Sequence, residues 1–283
     1  MKDTLNIGRI TFTNLFPIFH ELQKHPDIYK FIEGVPSEVN KMLREGIVDI
    51  STSSSVEYLR DKDNYSYIDG HSISSLGRIR SILLFSRVPI EDLDGKEVSI
   101  THQTETSALL LSVILKKFYN LDFKSQITDM PITMAIFTHS AYLSIGDEAL
   151  TTLSEAHPLD LKIPDDGYVL STIDHQLFYT YDLGDLWHKK TGLPFVFALW
   201  TAKNKTIEEN KRLFDRFKKD LDYAKTASLG NIEAVTEASP LKDTIGRKNL
   251  LTYWRGISYD LDEEHKKGLS LFEAYLRELE LLD

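Results

Sequence analysis

The chain has 283 residues, 42% of them hydrophobic and 27% charged, with a formal net charge of -10. That is enough apolar material for one large or two ordinary domains, and the negative balance argues against a nucleic-acid groove. The absence of cysteine excludes disulfides, thiolate catalysis and cysteine-ligated metals.

The opening MKDTLNIGRITF has no apolar run of signal-peptide length, and no stretch approaches the roughly 20 apolar residues of a membrane span. With Met1 read as the natural start, the expectation is a cytoplasmic protein with no membrane partner. Leu5 to Phe12 reads as a strand. A polar turn, Thr11 to Asn14, follows, with Asn14 placed as the cap of a helix that carries Pro17 in its first turn. In VPSEVNKMLREGIVDI, Ser37 is the expected cap of a helix with Val39, Met42 and Leu43 on one face, and Gly46 closes it. Val48 and Ile50 then suggest a short strand. The hydroxyl run Ser51 to Ser55 leads into a second helix at Val56.

Ile79 to Ser86 reads as a strand, and Arg78 and Arg80 beside it are candidate carboxylate partners. The Pro and Asp-Gly turn signals of residues 88–96 mark the expected crossing to a second domain. Glu97 to Thr101 alternates as a strand does. After it comes a polar turn from His102 to Ser107, then an apolar helix from Ala108. Thr104 or Thr106 could simply cap that helix. Alternatively, its free N–H groups and the surrounding hydroxyls could hold an anion.

Ala141 to Ile145 reads as a strand turning into a helix at Gly146 and Asp147. Gly146 would permit close approach of a ligand, and Asp147 is either a cap or a functional acid. Asp182 starts a helix that ends near Thr191, and Phe195 to Trp200 reads as a buried strand returning to the first domain. The division expected is therefore 1–87 plus 198–283 for one lobe and 88–197 for the other. The tail is helical. Thr206 to Glu209 has the pattern of a capping box, and a last helix spans about Leu261 to Leu282; both read as core helices.

Four strand–polar turn–helix junctions result, near Asn14, Ser54, Thr106 and Asp147. In α/β folds ligands lie at the carboxyl ends of strands, so these turns could face one cleft and hold a small carboxylate-bearing molecule. There is no phosphate loop, no GxGxxG, no HExxH spacing among the nine histidines and no GxSxG elbow.

IGRITFTNLFPIF, EGVPSEVNKMLREGIVDI, SSSVEY, SISSLGRIRSILLFS, IGDEAL and DLGDLWHKKTGLPFVFALW, in this order from about Asn6 to Trp200, resemble the chorismate dehydratase family. The resemblance implies an α/β fold of the two-lobe, periplasmic-binding-protein-like type II class with a ligand cleft between the lobes. It implies a carbon–oxygen lyase acting on chorismate in the futalosine route to menaquinone, with no metal and no organic cofactor. The positions that match are Asn14, Ser54, Ser55, Ser81, Thr106, Ser107, Gly146 and Asp147. Asn14 and Asp147 are the catalytic candidates, and the others would bind substrate. Two further readings stand beside it: a non-catalytic solute-binding protein of the same fold, and the related 1,4-dihydroxy-6-naphthoate synthase.

Overall fold

A computed structural model describes residues 3–25, 27–162, 164 and 167–282. The chain begins with β1 (Leu5–Ile10), α1 (Phe16–Leu22), β2 (Tyr29–Gly34), α2 (Pro36–Glu45), β3 (Ile50–Ser54), α3 (Ser55–Arg60) and β4 (Tyr65–Ser75). There follow β5 (Ile82–Ser86), β6 (Glu97–Thr101), α4 (Thr106–Val113), β7 (Lys124–Thr128), α5 (Ile132–Thr138), β8 (Ala141–Ile145), α6 (Gly146–Ala156), β9 (Tyr168–Ile173), β10 (Gln176–Asp182) and α7 (Leu183–Thr191). It closes with β11 (Phe195–Lys203), α8 (Asn204–Glu209), α9 (Lys211–Gly230), α10 (Ile232–Ala238), α11 (Arg247–Arg255) and α12 (Glu263–Glu278).

The strands form two sheets, ordered β2-β1-β3-β11-β4 and β7-β6-β8-β5-β10-β9. β1 lies parallel to both neighbours, which puts it inside the first sheet with its apolar residues Leu5, Ile7 and Ile10 buried. β11 runs antiparallel between β3 and β4 and brings the chain back to the first sheet, as its apolar run suggested. Buried side chains from both lobes belong to one continuous core, and α12 touches both β11 and α4 across the boundary.

The lobe boundary differs from the expected one. Ile82–Ser86 pairs with β8 and β10 in the second sheet, so the chain crosses between Ser75 and Ile82 rather than near residue 88. The turn signals after Val88 instead accommodate a short 3₁₀ segment, Ile90–Leu93. A second difference concerns the hydroxyl run. Ser51, Thr52 and Ser53 are not a turn but most of β3, fully buried between β1 and β11. β11 pairs with all three residues and β1 with Ser51, and small side chains permit close packing; alternation of apolar and polar residues therefore fails to report this strand.

Caps also depart from expectation. α2 begins with Pro36 at its first position and uses Glu38, whose carboxylate accepts the Val35 N–H at 3.0 Å, in place of Ser37. Gly46 does close that helix in the left-handed conformation. Thr206 to Glu209 lie inside α8, which has no side-chain cap, so no capping box forms there.

Candidate functional site

A cavity of about 70 Å³ lies where the two lobes meet. From the first lobe it is lined by Phe12, Asn14, Ser54 and Phe197, and from the second and the crossing by Ser81, Thr106, Ser107 and Gly146, among others. Six of the eight expected site residues thus converge: Asn14, Ser54, Ser81, Thr106, Ser107 and Gly146. Ser55 and Asp147 are not on its surface. Ser55 is wholly buried behind it, with its hydroxyl 3.4 Å from that of Thr106.

Asn14 sits in a single 3₁₀ turn, Thr13–Leu15, and caps nothing; α1 starts after Leu15. The turn is held through its backbone by three distant elements. The Asp147 carboxylate accepts the Thr13 N–H at 2.8 Å. The Trp254 indole N–H donates to the Thr13 carbonyl at 2.8 Å, and the Tyr259 hydroxyl donates to the Asn14 carbonyl at 2.7 Å. With the main chain fixed, the Asn14 side chain is free to serve the cavity. Its Oδ1 is buried and has no hydrogen-bond partner among the described residues. A buried amide oxygen in that state costs roughly 1–3 kcal/mol unless a ligand or water supplies a donor.

Three hydroxyl residues line the cavity, and each hydroxyl oxygen accepts at least one bond from a protein group. Ser54 Oγ accepts from the Asn40 side-chain amide at 2.9 Å and from the Glu57 N–H at 3.3 Å. Ser81 Oγ accepts from the Tyr253 hydroxyl at 2.8 Å. Burial pushes the Tyr253 phenol far above its ordinary range, so it stays protonated and keeps donating. Thr106 Oγ1 accepts the Val56 N–H at 3.2 Å, a bond that runs from one lobe to the other. These bonds leave the Ser54 and Ser81 protons uncommitted, while Thr106 Oγ1 shares a 3.4 Å contact with Ser55 Oγ in which either oxygen can donate. Thr104 accepts the Ser107 N–H at 3.2 Å, but the capping position of α4 is held by Glu105, whose side chain makes no capping bond.

Among the described lining residues there is no lysine, arginine or histidine. Arg78 and Arg80, expected as carboxylate partners, face elsewhere. Arg80 donates to the Leu159 carbonyl at 2.9 Å and the Arg78 carbonyl at 3.2 Å, and Arg78 donates to the Leu161 carbonyl. A carboxylate does reach the cavity wall, that of Glu105, which the sequence reading passed over. Asn40, fully buried in α2, was also passed over; an asparagine inside a helical pattern carries no signal of its own. No group of three His, Asp or Glu side chains that could hold a metal ion occurs among the described residues.

Asp147 lies in a second hollow behind Phe12, lined also by Arg9, Phe16, Phe19 and Leu241. Burial raises its carboxyl to about 6, against the opposing pull of the Thr13 N–H. Its place is explained by that hydrogen bond. Gly146, next to it, has φ of +70°, and a Cβ there would stand 2.7 Å from the Phe12 ring. Glycine is required twice over, by the backbone and by the aromatic packed on it.

Two α/β lobes with a donor-lined hollow between them define a periplasmic-binding-protein-like protein. Solved structures agree on the fold. Protein AF1704 from Archaeoglobus fulgidus superposes with a TM-score of 0.72 over 99% of both chains at 15% identity. The alkanesulfonate-binding protein SsuA from Xanthomonas axonopodis pv. citri does so with 0.69 over 100% of this chain and 95% of that one, at 13% identity. A family model described as menaquinone biosynthesis matches residues 5–278, and the chain belongs to that family. Among curated proteins it is 27% identical to the chorismate dehydratase of Thermus thermophilus, over 95% of this chain and 94% of that one. It is also 27% identical to the chorismate dehydratase of Campylobacter jejuni, over 78% of this chain and 82% of that one.

Proposed function

We propose that this protein is a chorismate dehydratase, a carbon–oxygen lyase that removes water from chorismate to give 3-[(1-carboxyvinyl)oxy]benzoate. The family, the two named relatives and the chemistry of the cavity support this reading. One observation carries it from the structure: the hydroxyl residues Ser54, Ser81 and Thr106 line one cavity with Asn14, whose buried Oδ1 is unpaired, and no fixed cation occurs among the described lining residues. Hydroxyl donors suit the two carboxylates of the substrate, and the amide oxygen suits a hydroxyl group.

Loss of the C3 proton and the C4 hydroxyl makes the ring aromatic, so the reaction is strongly downhill. The protein then has to orient the substrate and stabilise developing charge. No described lining histidine or lysine offers itself as a base, and Glu105 is engaged by Asn40 and Arg60. In this reading the enolpyruvyl carboxylate of the substrate takes the C3 proton, the C3–H electron pair becomes the new ring double bond as the C4–O bond breaks, and the departing hydroxide collects that proton to leave as water. The hydroxyls hold its carboxylates, and Asn14 fixes the bond geometry. Asp147, outside the cavity wall, acts on the reaction by holding the turn that carries Asn14.

The decisive experiment is incubation with chorismate, following its absorbance and identifying the product. Formation of 3-[(1-carboxyvinyl)oxy]benzoate supports the reading. Tight binding without turnover would make the protein a solute receptor instead.

A further inference from the structure

The side chain of Asn40 makes three hydrogen bonds and joins the two lobes through them. Its Oδ1 accepts the Ser54 N–H at 3.1 Å. Its Nδ2 donates to Ser54 Oγ at 2.9 Å and to Glu105 Oε2 at 3.0 Å. Both protons of the amide and one lone pair are in use, so its orientation is set; reversing it would oppose two N–H groups at Ser54. Ser54 belongs to the first lobe and Glu105 to the second, and both line the cavity.

Glu105 is gripped further by first-lobe cations. Arg60 donates to Oε2 at 3.3 Å, and Arg44 lies 3.8 Å from Oε1. Arg44 is itself anchored on the buried carboxylate of Glu57, which also accepts the Tyr65 hydroxyl at 2.9 Å. A single carboxylate of one lobe is thus clasped by three donors of the other. These contacts meet at the residue that starts the turn into α4.

We propose that Asn40 is a positioning residue that couples closure of the lobes to assembly of the hydroxyl donor set. The inference rests on the dehydratase reading for its catalytic readout. Opening the lobes breaks the Asn40–Glu105 bond and exposes an amide proton that is buried when they close. Closing them re-forms the bond on the same amide group that holds Ser54 within the first lobe, and so seats Glu105 and the α4 hydroxyls opposite Ser54. The energy of the clasp sets the fraction of protein that is closed before substrate arrives. A weaker clasp raises KM by that fraction and leaves kcat nearly unchanged, because bound substrate closes the lobes itself.

The test exchanges the donor and the acceptor. In Asn40→Asp a carboxylate faces Glu105, while the bond to the Ser54 N–H is kept. The expected result is a KM raised about tenfold or more with kcat within about threefold, and a larger radius of gyration by small-angle scattering without substrate. Adding Glu105→Gln supplies an amide donor to the carboxylate introduced at position 40, so the double variant should return to the compact radius, while KM stays raised because the Ser54 hydroxyl now donates to that carboxylate. Damage to folding alone would lower the active fraction, and Glu105→Gln would not restore it. Should Asn40→Asp not fold, Glu105→Lys, which opposes Arg44 and Arg60, must raise KM in the same way. The proposal is overturned if Asn40→Asp leaves both KM and scattering unchanged, or if the double variant is no more compact than the single one. If the unaltered protein does not consume chorismate, the dehydratase reading fails, while scattering still decides whether the clasp exists.

Discussion

Asn14 and Asp147 stand at two strand-to-helix junctions that look alike in sequence, and the fold gives them opposite tasks. The carboxylate of Asp147 is turned to the Thr13 backbone in a hollow behind Phe12, while Asn14 lines the cavity with its buried amide oxygen unpartnered among the described residues. One builds the turn, and the other uses it. A polar residue at such a junction is informative only once the destination of its hydrogen bonds is known.

The largest effect that would sharpen this contrast is on Asn14. Asn14→Ala should lower kcat by about 100-fold or more, the scale seen when one transition-state donor or positioning group is removed, with little change in melting temperature. Turnover within a few-fold of the original would remove Asn14 from the mechanism.

Gly146→Ala comes next and acts on folding first. The new Cβ meets the Phe12 ring at 2.7 Å, and the backbone at φ of +70° strains any L side chain. Overpacking and backbone strain together should cost about 2–4 kcal/mol, read as a lowered denaturation midpoint. Activity should fall with it, because Phe12 shares the cavity wall.

Asp147→Asn should alter stability more than chemistry. The carboxyl is raised by burial to about 6, so protons bind the folded form more tightly than the unfolded one. Its stabilising contribution is complete below the unfolded value near 4 and is lost as pH rises through about 6. Asparagine still accepts the Thr13 N–H and carries no charge to desolvate. The variant should therefore be more stable above pH 6 by about 1–2 kcal/mol, a figure reduced for partial exposure, and flat between pH 4 and 6. Denaturant titrations across that range would show it. A drop in kcat beyond about tenfold at neutral pH would instead make Asp147 a participant in the reaction.

The smallest effect expected is for Tyr259→Phe. It deletes the donor to the Asn14 carbonyl and should cost about 1 kcal/mol, with kcat lowered a few-fold through a looser turn. An unchanged kcat with lowered stability would show that the turn holds its shape without it.

Much of the frame could be read from the sequence. The apolar strands β1, β8 and β11 and the helices after them follow from periodicity, and four junctions with hydroxyls, amides and a glycine pointed to one cleft. Five residues at those junctions line the cavity, together with Ser81, which the family resemblance adds. What could not be read has physical causes. β3 is a buried strand made largely of hydroxyl residues, so hydrophobic patterning is silent over it. The crossing at residues 76–81 depends on which sheet accepts Ile82–Ser86, a choice made by pairing with β8 and β10. Asn40 and Glu105 acquire meaning only when two lobes come together. Tyr253, Trp254 and Tyr259 lie in a helical tail whose pattern says core, yet each donates a bond to the cavity or its first turn.

That last arrangement bears on how the protein is made. The bonds from Trp254 and Tyr259 to the first turn span 241 and 245 residues. A ribosome adding about 5–20 residues per second takes roughly 10–50 s to cover that distance. During that interval the Asn14 loop has left the exit tunnel without two of the donors that hold it. The first turn therefore gains these two holds only after residues 254 and 259 have been added, long after the strand that leads into it.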